Sequence, residues 1–255
     1  WLGRDNLYFA EWSDQRLYRL PVQEVQTEQT DGANEAAEPV PITPEPAIAA
    51  GWRYADGREH PEGEWLVCVR EDHHGIGEGD KTEPTNEIVG IALHANGTIG
   101  ETVSLVSNAD FVSSPRFSAD GRWLSWVQWN HPNMPWETTS LCAAPVFANM
   151  RVGNVQVVAG AAIGDDAGGS TGRDESIHGA EWTNDGRLVF STDRNGFWNL
   201  HSWSPGLSDS TVLTDLVDAE IGGPPWVFGV RRWTELEDGR FVVAVTTNAV
   251  DSLHV

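Results

Sequence analysis

An all-β fold of repeated four-stranded antiparallel sheets is what this sequence predicts, and three observations predict it. Short β-rich runs alternate with turn residues along most of the chain. Asp-Gly closes a hairpin at Asp120-Gly121, Asp185-Gly186 and Asp238-Gly239, with a looser counterpart at Gly63. Around these glycines the pattern A/R-F/W-S/T-x-D-G-R-x-L/V returns, at spacings of 58, 65 and 53 residues, each with room for four short strands and their loops. Asp-Gly between β-rich runs is a strong hairpin signal, because both turn positions favour positive φ and glycine adopts it without steric cost. A repeated four-stranded unit with aromatics at fixed places is the sequence sign of a β-propeller, in which each sheet buries its faces against its neighbours. A β-sandwich gives evenly spaced strands but no reason for the repeat.

Taken in order, residues 6–12 and 16–22 pair as a hairpin across Ser13, Asp14 and Gln15. Residues 23–46 turn acidic and proline-rich, leaving one short edge strand near Val40, Pro41 and Ile42. The next blade opens at 49–55, continues through 65–70, crosses a loop at 75–85 and is completed by 88–93 and 101–106. The third holds strand 115–118, the Asp120-Gly121 turn, the alternating strand 123–129, a dense loop at 130–138, and returning strands at 141–146 and 155–159. Residues 160–175 read as a Gly/Asp loop. The fourth blade runs from His178 through Arg187 to Asp193, then 199–203 and 211–214. A fifth begins around 225–230, and Val255 falls where its next strand forms. The blades are approximately 1–46, 47–108, 109–160, 176–215 and 219–255, an incomplete ring of about four to five. Such a ring exposes unpaired strand edges, so association with further blades or with another copy, a homo-oligomer, is expected.

Composition narrows the partners. With 40% hydrophobic residues and 13 tryptophans, the chain can fill a sizeable core. A net charge of -22 excludes nucleic acid and anionic membrane surfaces as partners. Cys68 and Cys142 each sit in an apolar strand and read as buried free thiols, since two cysteines make no disulfide framework. No run is long enough to span a bilayer and no basic-then-apolar segment opens the chain, which points to a cytoplasmic protein.

Five stretches carry a family likeness: LYFAEWSDQRLYRL (7–20), WLVCVREDH (65–73), SPRFSADGRWLSWVQWNHPNMPWETTSL (114–141), EWTNDGRLVFSTDRNGFWNLHSW (181–203) and EIGGPPWVFG (220–229). With HPNMPWE in place, the chain resembles the propeller of the prolyl oligopeptidase family of serine peptidases, in its dipeptidyl or acylaminoacyl peptidase branch. Phe197 and Thr192 stand where that family often has Trp and Ser. The resemblance implies a propeller that caps a C-terminal α/β-hydrolase domain holding Ser, Asp and His, and nothing in these 255 residues resembles that domain. It also implies a peptide substrate, no cofactor, and a substrate-gating role in a serine exo- or oligopeptidase. The competing function is a non-catalytic propeller that binds a protein or peptide partner through the loops of one face.

Candidate residues follow from strand alternation. Connections between the second and third strands of every blade emerge on one face, and these are the elaborate ones: 13–15, 72–86, 130–138 and 194–198. By the resemblance, that face meets the hydrolase domain and walls its substrate chamber. His131, Asn133, Met134, Trp136, Glu137, Asp193, Arg194 and Trp198 are the expected substrate or interdomain contacts. Pro132 and Pro135 stiffen the first of these loops, so its side chains are presented with little ordering cost. Glu137 is the expected acceptor for a peptide's free amino group; its alternative role is to cap a turn. Trp123, Trp126, Trp129, Trp182 and Trp203 read as blade core. Gly168-Gly169-Ser170-Thr171-Gly172 matches G-x-S-x-G, but that chemistry needs a strand, a sharp turn and a helix, and here a loop leads into another blade. Ser170 therefore reads as loop, and no catalytic residue is expected in this chain. Asp72, His73 and His74 lack a third, distant metal ligand, and Asp165, Asp166, Glu78 and Asp80 lack the spacing of a calcium loop, so no metal is expected.

Overall fold

The computed structural model describes residues 1–22, 37–78, 81–94, 98–162 and 173–255. The chain divides into two compact units, Trp1–Ser107 and Asn108–Val255. Among the described residues, the one helical element is a single turn at Ala148–Met150, and no helix is long and apolar enough to cross a membrane.

In the first unit, β1 (Asn6–Ala10), β2 (Leu17–Pro21) and β3 (Val40–Pro41) form an antiparallel sheet. The strands β4 (Trp52–Glu59), β5 (Trp65–Asp72), β6 (Thr85–Leu93) and β7 (Ile99–Val106) follow in chain order as a four-stranded antiparallel sheet. Tyr8, Leu17 and Ile42 of the first sheet meet Tyr54, Leu66, Cys68, Val89 and Ile91 of the second in one core. Burial pushes the Tyr54 phenol up to about 12 and the Cys68 thiol well above its ordinary value.

The second unit holds three sheets. The first contains β8 (Phe111–Phe117), β9 (Trp123–Trp129), β10 (Ser140–Phe147), β11 (Arg151–Val152) and β12 (Gln156–Gly160); both of the last two pair with β10. Next come β13 (Ile177–Trp182), β14 (Leu188–Thr192), β15 (Asn199–Trp203) and β16 (Thr211–Val212), then β17 (Trp233–Glu235), β18 (Phe241–Thr247) and β19 (Val250–His254). Strand β14 shows how they pack. Leu188 and Phe190 join Val127, Leu141, Ala159, Trp182 and Trp203 in one core, while Val189 joins Leu200, Ile221, Trp233 and Val245 in another. Successive side chains of a strand point to opposite faces, so β14 is buried on both. Trp126, Trp182 and Trp203 are blade core, as expected, with Trp123 and Trp129 packed at its margin.

The repeated turn differs in detail from its expected form. Positive φ falls on the glycine alone, at 70° in Gly121, 84° in Gly186 and 80° in Gly239, and not on the preceding aspartate. Gly121 N–H closes onto Ser118 C=O at 2.8 Å, Gly186 onto Thr183 at 3.0 Å and Gly239 onto Leu236 at 2.9 Å. Each aspartate instead accepts a backbone N–H two residues on: Arg122 to Asp120 at 3.1 Å, Arg187 to Asp185 at 3.4 Å and Arg240 to Asp238 at 3.1 Å. These are aspartate-stabilised turns with a left-handed glycine, which explains why Asp-Gly recurs.

A second repeat is invisible in the spacing of those glycines. The first strand of three sheets carries the same bulge, between Ala55 and Arg58, Ser113 and Arg116, and His178 and Glu181. In each, the residue after the first of the pair is left-handed: Asp56 at 53°, Ser114 at 54° and Gly179 at 62°. A bulge bends its strand and re-aims the side chains beside it.

Two expectations are corrected. Residues 225–230 are not a strand, and the last sheet starts at Trp233; Pro224 and Pro225 supply no N–H to a ladder, and Trp226, Val227 and Phe228 are exposed. Its third strand, expected to be only forming at Val255, is complete at Val250–His254, joined to β18 through Asn248 and Ala249, both left-handed. The short strand β11 was not anticipated, because its reversal uses left-handed Asn149 and Met150 rather than a glycine.

Candidate functional site

In the second unit, residues 130–138 connect β9 to β10, and hydrogen bonds fix them at both ends. His131 N–H donates to Asp110 Oδ2 at 3.0 Å, and its ring meets Phe111 edge-on at 4.9 Å. Met134 N–H donates to Glu137 Oε2 at 2.7 Å while Glu137 N–H returns to Met134 C=O at 2.9 Å. Glu137 thus holds a turn, the alternative role considered for it, while remaining exposed. Ser176 Oγ donates to Pro135 C=O at 2.7 Å, tying the loop to the segment that enters β13.

Beside this loop lies a cleft of about 530 Å³. His131, Asn133, Met134 and Trp136 line one side, and residues 225–230 face them, with the Trp136 and Trp226 rings 4.2 Å apart between centroids. The remaining wall comes from the bulged starts of β8 and β13, through Phe111, Ser113, Ser114, Ile177, His178 and Gly179. Every residue lining the cleft is apolar or uncharged, apart from the two histidines. Met134, Trp226 and Phe228 are 46%, 73% and 49% exposed, an apolar surface that none of the described residues covers.

His178 was not singled out from the sequence. It is 4% exposed, its ring stands edge-on to Trp198 at 5.8 Å, and Nδ1 has no hydrogen-bond partner. Burial, with the Arg232 charge adding, pushes its imidazole down to about 4. It is therefore neutral at neutral pH. The blade repeat could have located it: the left-handed bulge residue stands three positions before the motif aromatic, Ser114 before Phe117 and Gly179 before Trp182, which makes Ser113 and His178 equivalent.

The other three expected residues lie behind the loop. Asp193 Oδ1 accepts Ser176 N–H at 2.7 Å; burial raises its carboxyl above the ordinary value, against the pull of that hydrogen bond. Arg194 is committed to Glu175, with Nε at 2.8 Å from Oε2 and an Nη at 3.1 Å from Oε1. Glu175 is 1% exposed and also accepts Gly160 N–H at 2.8 Å and the Thr192 hydroxyl. Trp198 is buried, and a Cβ on Gly222 would meet it at 2.8 Å, so Gly222 gives residues 223–230 their close approach. Glu175, like His178, went unnoticed, because nothing in the Gly/Asp-rich run before β13 marks it as buried.

In the first unit, Asp72 Oδ1 lies 2.7 Å from His74 Nδ1 and Glu71 Oε2 lies 3.0 Å from His73 Nε2. Among the described residues, no three His, Cys, Asp or Glu side chains converge as a metal group. Ser170, Asp165, Asp166 and Asp80 lie outside the described residues.

No protein-family model matches the chain, and no curated protein matches it. Solved structures do. A Mycobacterium tuberculosis puromycin-hydrolyzing peptidase is 31% identical over 96% of this chain, at a TM-score of 0.75. A puromycin hydrolase is 31% identical over 96%, at 0.77, and a mutant of puromycin hydrolase complexed with PGG is 32% identical over 96%, at 0.76. The chain spans 34% of the length of each of these three. A prolyl endopeptidase, 12% identical over 92% of this chain and 29% of its own at 0.52, shares the fold. The β-propeller reading and the likeness to the propeller of the prolyl oligopeptidase family are both borne out.

Proposed function

From this kinship with the propeller portion of puromycin-hydrolysing peptidases, we propose that the chain is the substrate-gating propeller of a cytoplasmic serine exo- or oligopeptidase of the dipeptidyl or acylaminoacyl type. Hydrolysis is carried out by an α/β-hydrolase domain outside these 255 residues, through a Ser nucleophile, a His base and an oxyanion hole. The propeller excludes folded proteins by size and presents the loop 130–138 to the peptide. The observation that carries this reading is identity above 30% over 96% of the chain to enzymes three times its length. The cleft and the exposed Glu137 beside it supply what such a wall needs: an apolar surface and a carboxylate next to it for a free amino group.

The reading is tested by the codons that follow residue 255. A strand, G-x-S-x-G and a helix, followed by Asp and His, support it. A stop codon soon after the ring closes overturns it in favour of a propeller that binds a partner through Trp226, Val227 and Phe228.

A further inference from the structure

We propose that the cleft of the second unit is a subsite for an aromatic residue of a peptide, with the ring held against Trp136, Trp226 and Phe111. This rests on the reading that the protein handles peptides; the aromatic preference comes from the cleft itself. Its volume of about 530 Å³ falls in the range of sites that take small molecules. With no carboxylate, guanidinium or ammonium among its lining residues, a charged side chain would lose its hydration there without a counter-ion. An aromatic ring gains instead, since Trp136 and Trp226 already lie at 4.2 Å, within ring-packing distance, and Trp226 remains 73% exposed among the described residues.

The wall that receives the ligand is already set by the Met134–Glu137, Ser176–Pro135 and Asp110–His131 hydrogen bonds, so little ordering cost falls on binding.

The test is a titration of the full chain with N-acetyl-L-phenylalaninamide and N-acetyl-L-alaninamide, followed by tryptophan fluorescence and by NMR. The phenylalanyl amide is expected to bind at least about tenfold more tightly than the alanyl amide, and Trp226→Ala to weaken it about fivefold. Equal binding of the two amides, or full affinity in Trp226→Ala, overturns the proposal; because Trp226 is exposed, that variant keeps the fold and reports on the subsite alone. Aromatic-selective binding by a protein that proves to have no peptidase activity leaves the subsite standing and removes the peptidase reading. Peptidase activity without aromatic-selective binding does the reverse.

Discussion

Glu137 is exposed beside the cleft, whereas His178 is buried in its wall. Because Glu137 Oε2 takes the Met134 N–H, a Glu137→Gln substitution keeps an acceptor for the turn and removes only the charge. A charge-assisted hydrogen bond to a substrate amine is worth about 1.5–3 kcal/mol. On the proposed function, Glu137→Gln in the full-length protein should therefore lower kcat/KM for free-amine substrates by about one to two orders of magnitude and leave N-acylated substrates unaffected. Equal loss for both, or none, would confine Glu137 to holding its turn. His178 and His201 both have imidazoles pushed down to about 4 from 6.5, burial being the first cause in each. A base with a lowered folded pKa is protonated first in the unfolded chain. Its stabilising contribution is complete above about pH 6.5 and is lost as pH falls towards 4, on the order of 3 kcal/mol for each histidine. Urea unfolding between pH 7 and 4 should show that decline, and His178→Phe should flatten it; an unchanged slope would mean that His178 is not buried as described.

Among the elements, the junction behind the loop is the most exacting. Glu175 joins the end of β12 to the 193–198 connection by accepting Gly160 N–H and pairing with Arg194. Removing one partner of a buried ion pair strands the other, at a cost of about 3–5 kcal/mol. Glu175→Ala should lower the unfolding free energy by that amount, read as a fall in the urea midpoint; a change below about 1 kcal/mol would contradict the buried pairing. Strands were legible where local signals agreed. β9 and β15 have the bounds read from the sequence, because an apolar strand followed a clear turn or loop on each side. Residues 225–230 misled because Trp-Val-Phe has strong β propensity, yet propensity cannot supply the backbone N–H groups that two prolines remove. The bulges at Asp56 and Ser114 were hidden, since neither residue announces a left-handed backbone as glycine does.

For the whole molecule, periodicity was enough to find the fold, because three of the five sheets repeat the same Asp-Gly turn and a fourth carries a looser form at Gly63. The site was half legible. The prolines and aromatics of residues 130–138 drew attention to one wall of the cleft, whereas His178 and the 225–230 wall meet it only through folding of distant segments. The chain spans 34% of the length of the puromycin-hydrolysing enzymes it resembles, and the proposed function assigns the chemistry to residues outside these 255. The central claim is that the chain shapes access to a peptidase without performing its chemistry. Hydrolysis of aminoacyl and peptidyl p-nitroanilides, measured side by side for this chain and for the full-length protein, tests that most directly. Turnover by the full-length protein and none by the 255-residue chain is the predicted result; turnover by the chain alone, abolished by Ser170→Ala, would contradict it.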